Sequence, residues 1–318
     1  MPSPSHPLDA SPDDSHPRLD HVLDHLALTQ GRPRVVTAIT GGLTNQSFRV
    51  QIDGHDLLVR VFAPDMELFG IDRELECANT RAAAHWGVAP GVLEVNLDLG
   101  ALVSEFVSGR TLAPQHLADQ RTLGRVTKTL RQLHSGSGFQ GSFNVVQFRV
   151  DYLERVRELD IALPSDYDKH LPQVAALEHL LAATPEVLVP CHNDLAAENM
   201  IDDGERVWLV DFEFAAMNEA SFDLANLALS SALADNAVDA LVTAYWGSAA
   251  AQEAKRRLAR VRAWMVVATF AWVPWAAIQQ RTSPADFDFV GWAQQRYERA
   301  VSRLQSRQFE LLADRLSP

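Results

Sequence analysis

Between Val189 and Phe214, polar side chains with definite chemistry are set into short apolar runs. His192, Asp194 and Asn199 come first, then Asp211 and Glu213. A carboxylate such as Asp194 can orient a hydroxyl and accept its proton. Asn199 and Asp211 offer hard oxygen ligands of the kind that suit Mg²⁺, a cation that neutralises charge on phosphate oxygens. These are the groups that phosphoryl transfer requires. Each residue alone reads more readily as a turn carboxylate or a hydrogen-bonded core histidine, because turns favour Asp and Asn for local reasons. The weight lies in their order and in the turn Asp202-Asp203-Gly204 between the two halves.

His192, Asp194 and Asn199 have the H-x-D-x-x-x-x-N spacing of a kinase catalytic loop, and Asp211-Phe212-Glu213 stands where such enzymes carry Asp-Phe-Gly. Upstream, Thr40-Gly41-Gly42-Leu43-Thr44-Asn45 precedes a strand pattern, and Gly41, Gly42, Thr44 and Asn45 read either as a plain hairpin turn, the commoner role of a glycine pair, or as a flexible turn whose N–H groups approach nucleotide phosphates. Arg60 falls mid-strand between Val59 and Val61, an isolated cation that either contacts phosphate or reaches solvent from an edge strand. Glu76, on the next predicted helix, is expected to pair with Arg60 and hold it, with Glu74 as the rival.

These residues need two kinds of support. Phe48, Val50 and Ile52, the turn Asp53-Gly54, then Leu57, Val59 and Val61 alternate as a hairpin, and 72–86 and 101–106 read as a helix and a strand. Beyond Ser108-Gly109 the period is helical over 117–134, 150–159 and 174–183, interrupted by strand-like 187–213. Helices resume at 221, including 237–246, 253–278 with a kink expected at Pro274, and 288–315. The expected organisation is a disordered leader (1–18), a sheet-rich lobe (19–107) and a larger helical lobe (108–318).

The 318 residues, 47 % of them apolar, can bury a full core. With 28 basic against 41 acidic side chains the net charge is −13, which disfavours nucleic acid and anionic membranes as partners. Cys77 and Cys191 read as ordinary buried thiols of a reducing compartment. The uncharged stretch 265–278 is shorter than the roughly 20 residues a bilayer span needs. No export signal is visible in 1–17, and a cytoplasmic protein is expected.

The chain resembles the choline/ethanolamine kinase group of the aminoglycoside phosphotransferase-like superfamily. The motifs that carry this are Thr40 to Val50, Leu58-Val-Arg60-Val, Glu105 to Leu112, His192-Asn-Asp194, and Val210-Asp211-Phe-Glu213-Phe214 running on to Asp223 and Asn226. Arginine rather than lysine at position 60 resembles the choline kinase branch. The resemblance implies an α+β, bilobal protein-kinase-like fold with a small antiparallel-sheet N-lobe and a mostly helical C-lobe. It implies ATP and Mg²⁺ as cofactors, Asp194 as catalytic base, Asn199 and Asp211 as metal ligands, and Glu213 bordering the metal and acceptor. Backbone groups of Glu105 and Val107 are expected to bind adenine, and Asp223 to brace the catalytic loop.

A quaternary ammonium donates no hydrogen bond, so aromatic faces and nearby negative charge must recognise it. Trp272, Trp275, Phe287 and Trp292 resemble the family's choline-binding tract, although aromatic residues at helical spacing also build cores. The helix segment 227–234 carries no acid and no tyrosine, which departs from eukaryotic choline kinases and leaves Asp194 and Glu213 as the main counter-charges. The expected activity is transfer of the γ-phosphate of ATP to the hydroxyl of choline, ethanolamine or a similar cationic alcohol. Thiamine or aminoglycoside phosphorylation, and a catalytically silent kinase-like ligand-binding protein, are the alternatives.

Overall fold

The hairpin that the alternation predicts is built from β2 (Gln46–Ile52) and β3 (His55–Val61), paired antiparallel with Phe48 opposite Val59 and Val50 opposite Leu57. Asp53 and Gly54 close it, both with positive φ (49° and 79°), as a two-residue turn of this hand requires. These coordinates, a computed structural model, describe residues 17–39, 45–63, 69–247, 250–283 and 285–316. With β1 (Val35–Ile39), β4 (Val92–Asn96) and β5 (Ala101–Glu105) the hairpin forms a five-stranded sheet, ordered β1-β2-β3-β5-β4. Its inward residues pack on Leu19, Val22 and Leu23 of α1 (Pro17–His25) and on Leu26 just beyond it. The leader expected over 1–18 lies outside the described residues as far as 16, and residues 17 and 18 open α1.

Contacts divide the chain into two units: residues up to Ala63 with Leu93–Ser104, and Pro64–Val92 with Glu105–Pro318. The expected boundary at residue 107 thus differs from the grouping by contact, which puts α2 (Arg73–His85) with the helical unit. The physical reason is polar. Asn79 of α2 donates to the carbonyls of Ala215 (2.7 Å) and Gln140 (3.1 Å), and accepts from the Gln140 N–H.

The second unit contains α3 (Gln120–His134), α4 (Val145–Glu158), α5 (Tyr167–Ala183), α6 (Ala220–Ser230), α7 (Asp235–Trp246), α8 (Ala251–Thr282), α9 (Phe289–Leu304) and α10 (Arg307–Leu316). Two small sheets are set among them. One pairs β7 (Leu188–Cys191) with β10 (Ala216–Glu219); the other joins β6 (Arg110–Thr111), β8 (Met200–Asp202) and β9 (Val207–Leu209). The β8–β9 turn forms as its residues predict, with Asp203 accepting from the N–H groups of Glu205 and Arg206, and Gly204 at φ 96°.

One expectation needs correction. The helix expected over 288–315 is two, α9 and α10, parted where the Ser306 hydroxyl turns back onto the Arg303 carbonyl. Around Pro274, α8 runs on as one 32-residue helix. Proline removes the N–H that the Phe270 carbonyl, four residues earlier, normally accepts from. The Tyr167 hydroxyl donates to that carbonyl instead. By length and composition α8 could cross a membrane, but 78 % of its most apolar window is buried by the rest of the fold, in keeping with the reading of 265–278 as no bilayer span. Cys77 and Cys191 are buried thiols.

Candidate active site

The loop leaving β7 is held by α6. Asp223, fully buried, accepts from the backbone N–H groups of His192 (2.9 Å) and Asn193 (2.8 Å), and its Oδ2 also meets His134 Nε2 at 2.9 Å. Asn193 sits at φ 64°, which a non-glycine residue keeps only when its surroundings over-determine it. They do. Its side chain donates to the Phe214 carbonyl (3.0 Å) and accepts from Asn218, while Asn226 donates to its backbone carbonyl. The His192 ring bonds the Val210 carbonyl at 2.9 Å and packs on Phe212. His134, Cys191 and Asp223 place ligand atoms within 4.8 Å of one another. Both ring nitrogens of His134 are already engaged, by Asp223 and by the Tyr245 hydroxyl (2.6 Å), so the trio is a hydrogen-bonded brace.

Asp194 and Asn199 are both half-buried. The Asn199 amide N–H donates to the Asp194 carbonyl (3.0 Å), which assigns its Oδ1 to the opposite side, and the Val210 N–H donates to the Asn199 carbonyl. Asp211 follows at φ 70°, a second strained non-glycine residue. Burial pushes the Asp194 carboxyl up to about 7, and the charges of Asp211, Asp223 and Glu198 push the same way. Asp194 thus feels the charge of neighbouring carboxylates, and Asn199 is tied to its carbonyl. That donor set fits a hard divalent cation.

Glu213 is buried, 3.6 Å from the Arg73 guanidinium, whose same nitrogen bonds Glu76 at 2.5 Å. Within the helical unit the Glu76 carboxylate binds Arg73, one turn earlier on α2. Glu74 is exposed. In the sheet unit, Arg60 lies on β3 opposite Ser47, and Asn45 accepts from the Ala63 N–H. Gly41, Gly42 and Thr44 lie outside the described residues. The Glu105 N–H is committed to the Gly91 carbonyl (2.9 Å), whereas Val107 makes no backbone hydrogen bond among the described residues.

Trp272 is buried, with Phe148, Phe214 and Trp275 edge-on around it at centroid distances of 5.1, 5.7 and 5.5 Å. Its Nε1 has no hydrogen-bond partner among the described residues. Trp275 is half-buried and reaches Phe289 and Trp292, and Phe287 packs on Phe289. One face of Trp292 is covered by Arg296, 4.1 Å from the ring centroid. Sequence reasoning missed Phe148 and Tyr152 of α4, although their four-residue spacing was visible. Burial raises the Tyr152 phenol well above its usual range, and the Glu213 charge adds to this. Arg73, Asn193 and Asn226 were also missed as site residues; only contacts between distant segments reveal them.

A mixed α+β fold with this loop, an asparagine and a second aspartate defines a phosphotransferase of the protein-kinase-like type with an alcohol group as acceptor. The sequence profile described as choline/ethanolamine kinase matches residues 36–241, and the chain belongs to that family. Ethanolamine kinase 2 of Mus musculus is 30 % identical over 283 residues, covering 79 % of this chain and 71 % of that one. A choline/ethanolamine kinase family protein from Mesorhizobium loti superposes with a TM-score of 0.81 at 27 % identity, over 94 % of this chain and 99 % of its own. Aminoglycoside phosphotransferase APH(4)-Ia shares the fold at 16 % identity, with a TM-score of 0.61 over 91 % of this chain and 97 % of its own. The family and fold class expected from the motifs are those found.

Proposed function

We propose that the protein transfers the γ-phosphoryl group of ATP to the hydroxyl of choline, ethanolamine or a similar cationic alcohol, with Mg²⁺. The observation that carries this reading is the Asp194 carboxyl, held on a braced loop beside Asp211 and raised to about 7, poised to take a hydroxyl proton near neutral pH. Asn199 and Asp211 are the residues to hold the metal, which when bound spreads the charge of the phosphate oxygens. Arg60 and the Thr40–Asn45 sequence serve the nucleotide phosphates, and the uncommitted backbone of Val107 suits the adenine edge. Glu213, Trp275 and the α4 aromatics meet the acceptor's ammonium group, with Trp272 as their backing.

The intact set Asp194, Asn199 and Asp211 speaks against a catalytically silent protein. The test is an acceptor panel of choline, ethanolamine, thiamine and an aminoglycoside with ATP and Mg²⁺. Turnover of the last two alone overturns the acceptor assignment, and turnover of none overturns the activity. The acidic balance supports the absence of nucleic-acid and membrane partners, and the burial of α8 supports a soluble, cytoplasmic enzyme.

Asp211→Asn is expected to weaken Mg²⁺-dependent nucleotide binding about tenfold or more, because a hard cation loses a charged ligand. Calorimetric titration with and without Mg²⁺ checks this, and unchanged metal dependence removes Asp211 from the metal site. The two tryptophans should separate. Trp275→Ala should raise the acceptor KM by about 3- to 20-fold with the ATP KM unchanged, the scale of one lost aromatic face. Trp272→Ala should instead cost about 3–5 kcal/mol of stability by opening the core. Urea unfolding beside steady-state kinetics distinguishes them, and equal kinetic effects from two equally stable variants would contradict the assignment.

A further inference from the structure

We infer that Arg73 is a positioning residue: from the first turn of α2 it holds the Asp211–Ala215 segment, and with it the charge that Glu213 presents to the acceptor. One guanidinium nitrogen lies 2.5 Å from Glu76 and 3.6 Å from Glu213, and both carboxylates are buried. Two buried anions brought together without a cation repel each other and lack solvation. Arg73 compensates both. A planar guanidinium loses less freedom per hydrogen bond than an ammonium on a flexible stem, which suits it to bridge two fixed acceptors.

A second attachment lies further along the same helix. The Asn79 amide donates to the carbonyl of Ala215 at 2.7 Å, and its remaining capacity is spent on Gln140. Residues 73 and 79 are about 9 Å apart along a helix axis, and Glu213 and Ala215 lie on one tight turn closed by the Ala215 N–H on the Phe212 carbonyl, so α2 grips the segment at two points. Asp211, two residues before Glu213, is at φ 70°. A strained backbone persists where its surroundings over-determine it. Arg73 thus acts through Glu213 and the backbone of its segment, with no contact to the reacting atoms required. This inference rests on the phosphotransfer reading for its kinetic consequence but not for the grip itself.

The test is a double-mutant cycle of Arg73→Met and Glu213→Gln, with Arg73→Lys as the conservative variant. Each single change is expected to lower kcat/KM for the acceptor about tenfold or more, with the double variant no worse than the poorer single within about threefold. The ATP KM should change less than the acceptor KM. Arg73→Lys should recover part of the loss. The same non-additivity is expected in urea unfolding midpoints, a readout independent of catalysis. Multiplicative losses in both readouts, or Arg73→Lys no better than Arg73→Met, overturn the inference. If Arg73→Met does not fold, the cycle is run with Arg73→Lys. If the wild-type protein phosphorylates no alcohol, the proposed function fails while the unfolding cycle still decides whether Arg73 and Glu213 are coupled.

Discussion

Asp194→Asn is expected to lower kcat by about 10²- to 10⁴-fold, the range that general base catalysis contributes, with nucleotide affinity little changed. The same substitution should stabilise the metal-free protein at alkaline pH. The carboxyl is raised from 3.8 to about 7 by burial, then by the charges of Asp211, Asp223 and Glu198. A carboxyl whose folded pKa is raised contributes stability that is fully present below its unfolded pKa and is lost as pH climbs through the folded value. Wild-type protein should therefore weaken between about pH 4 and 7 from this group, and the asparagine variant should not. At pH 8 the variant should be more stable by about 1–3 kcal/mol, a range that allows for partial exposure, and below pH 4 the difference should vanish. Urea unfolding at both pH values in chelator measures this. An asparagine variant that turns over at wild-type rate, or one less stable than wild type at pH 8, removes Asp194 from the role given to it.

Asp223→Ala is the second large effect. It takes the acceptor from two backbone N–H groups and from His134 in a site with no water access. Stranded buried donors and a broken buried network cost about 3–5 kcal/mol. Activity should fall at least as far as in the Asp194 variant, because Asn193 at φ 64° loses one of its ties and the loop carrying Asp194 loses its shape. Asp223→Asn should be nearly as damaging, since its amide turns a donor toward groups that are themselves donors. Denaturation midpoints and kcat together test this. A stability loss under about 1 kcal/mol for the alanine variant would mean the loop is held by other contacts.

The strand hairpin and the catalytic loop were legible because their signals are local. Alternating Phe48, Val50 and Ile52 state which face is buried, Asp53-Gly54 states the turn, and the spacing of His192, Asp194 and Asn199 states a loop chemistry whatever the fold around it. The break between α9 and α10 was not legible, since amphipathic periodicity crosses residues 305–306 without interruption. The extent of α8 was legible, since 253–278 was expected and Ala251–Thr282 is found, its charged first turns supported by pairs such as Glu253 with Arg257.

Residue type and local spacing determined the element types, the family-bearing motifs and the identity of the acid and metal-ligand candidates. Through-space neighbours decided the rest. Glu76 meets Arg73 within α2, Trp272 is closed in by Phe148 from α4 and Phe214 from the Asp211 segment, and Tyr167 on α5 satisfies the carbonyl that Pro274 orphans on α8. The proton affinity of Asp194 belongs to the same class. It is set by burial and by three carboxylates, two of them 17 and 29 positions away along the chain, and electrostatic energy depends on distance in space, which sequence separation does not report.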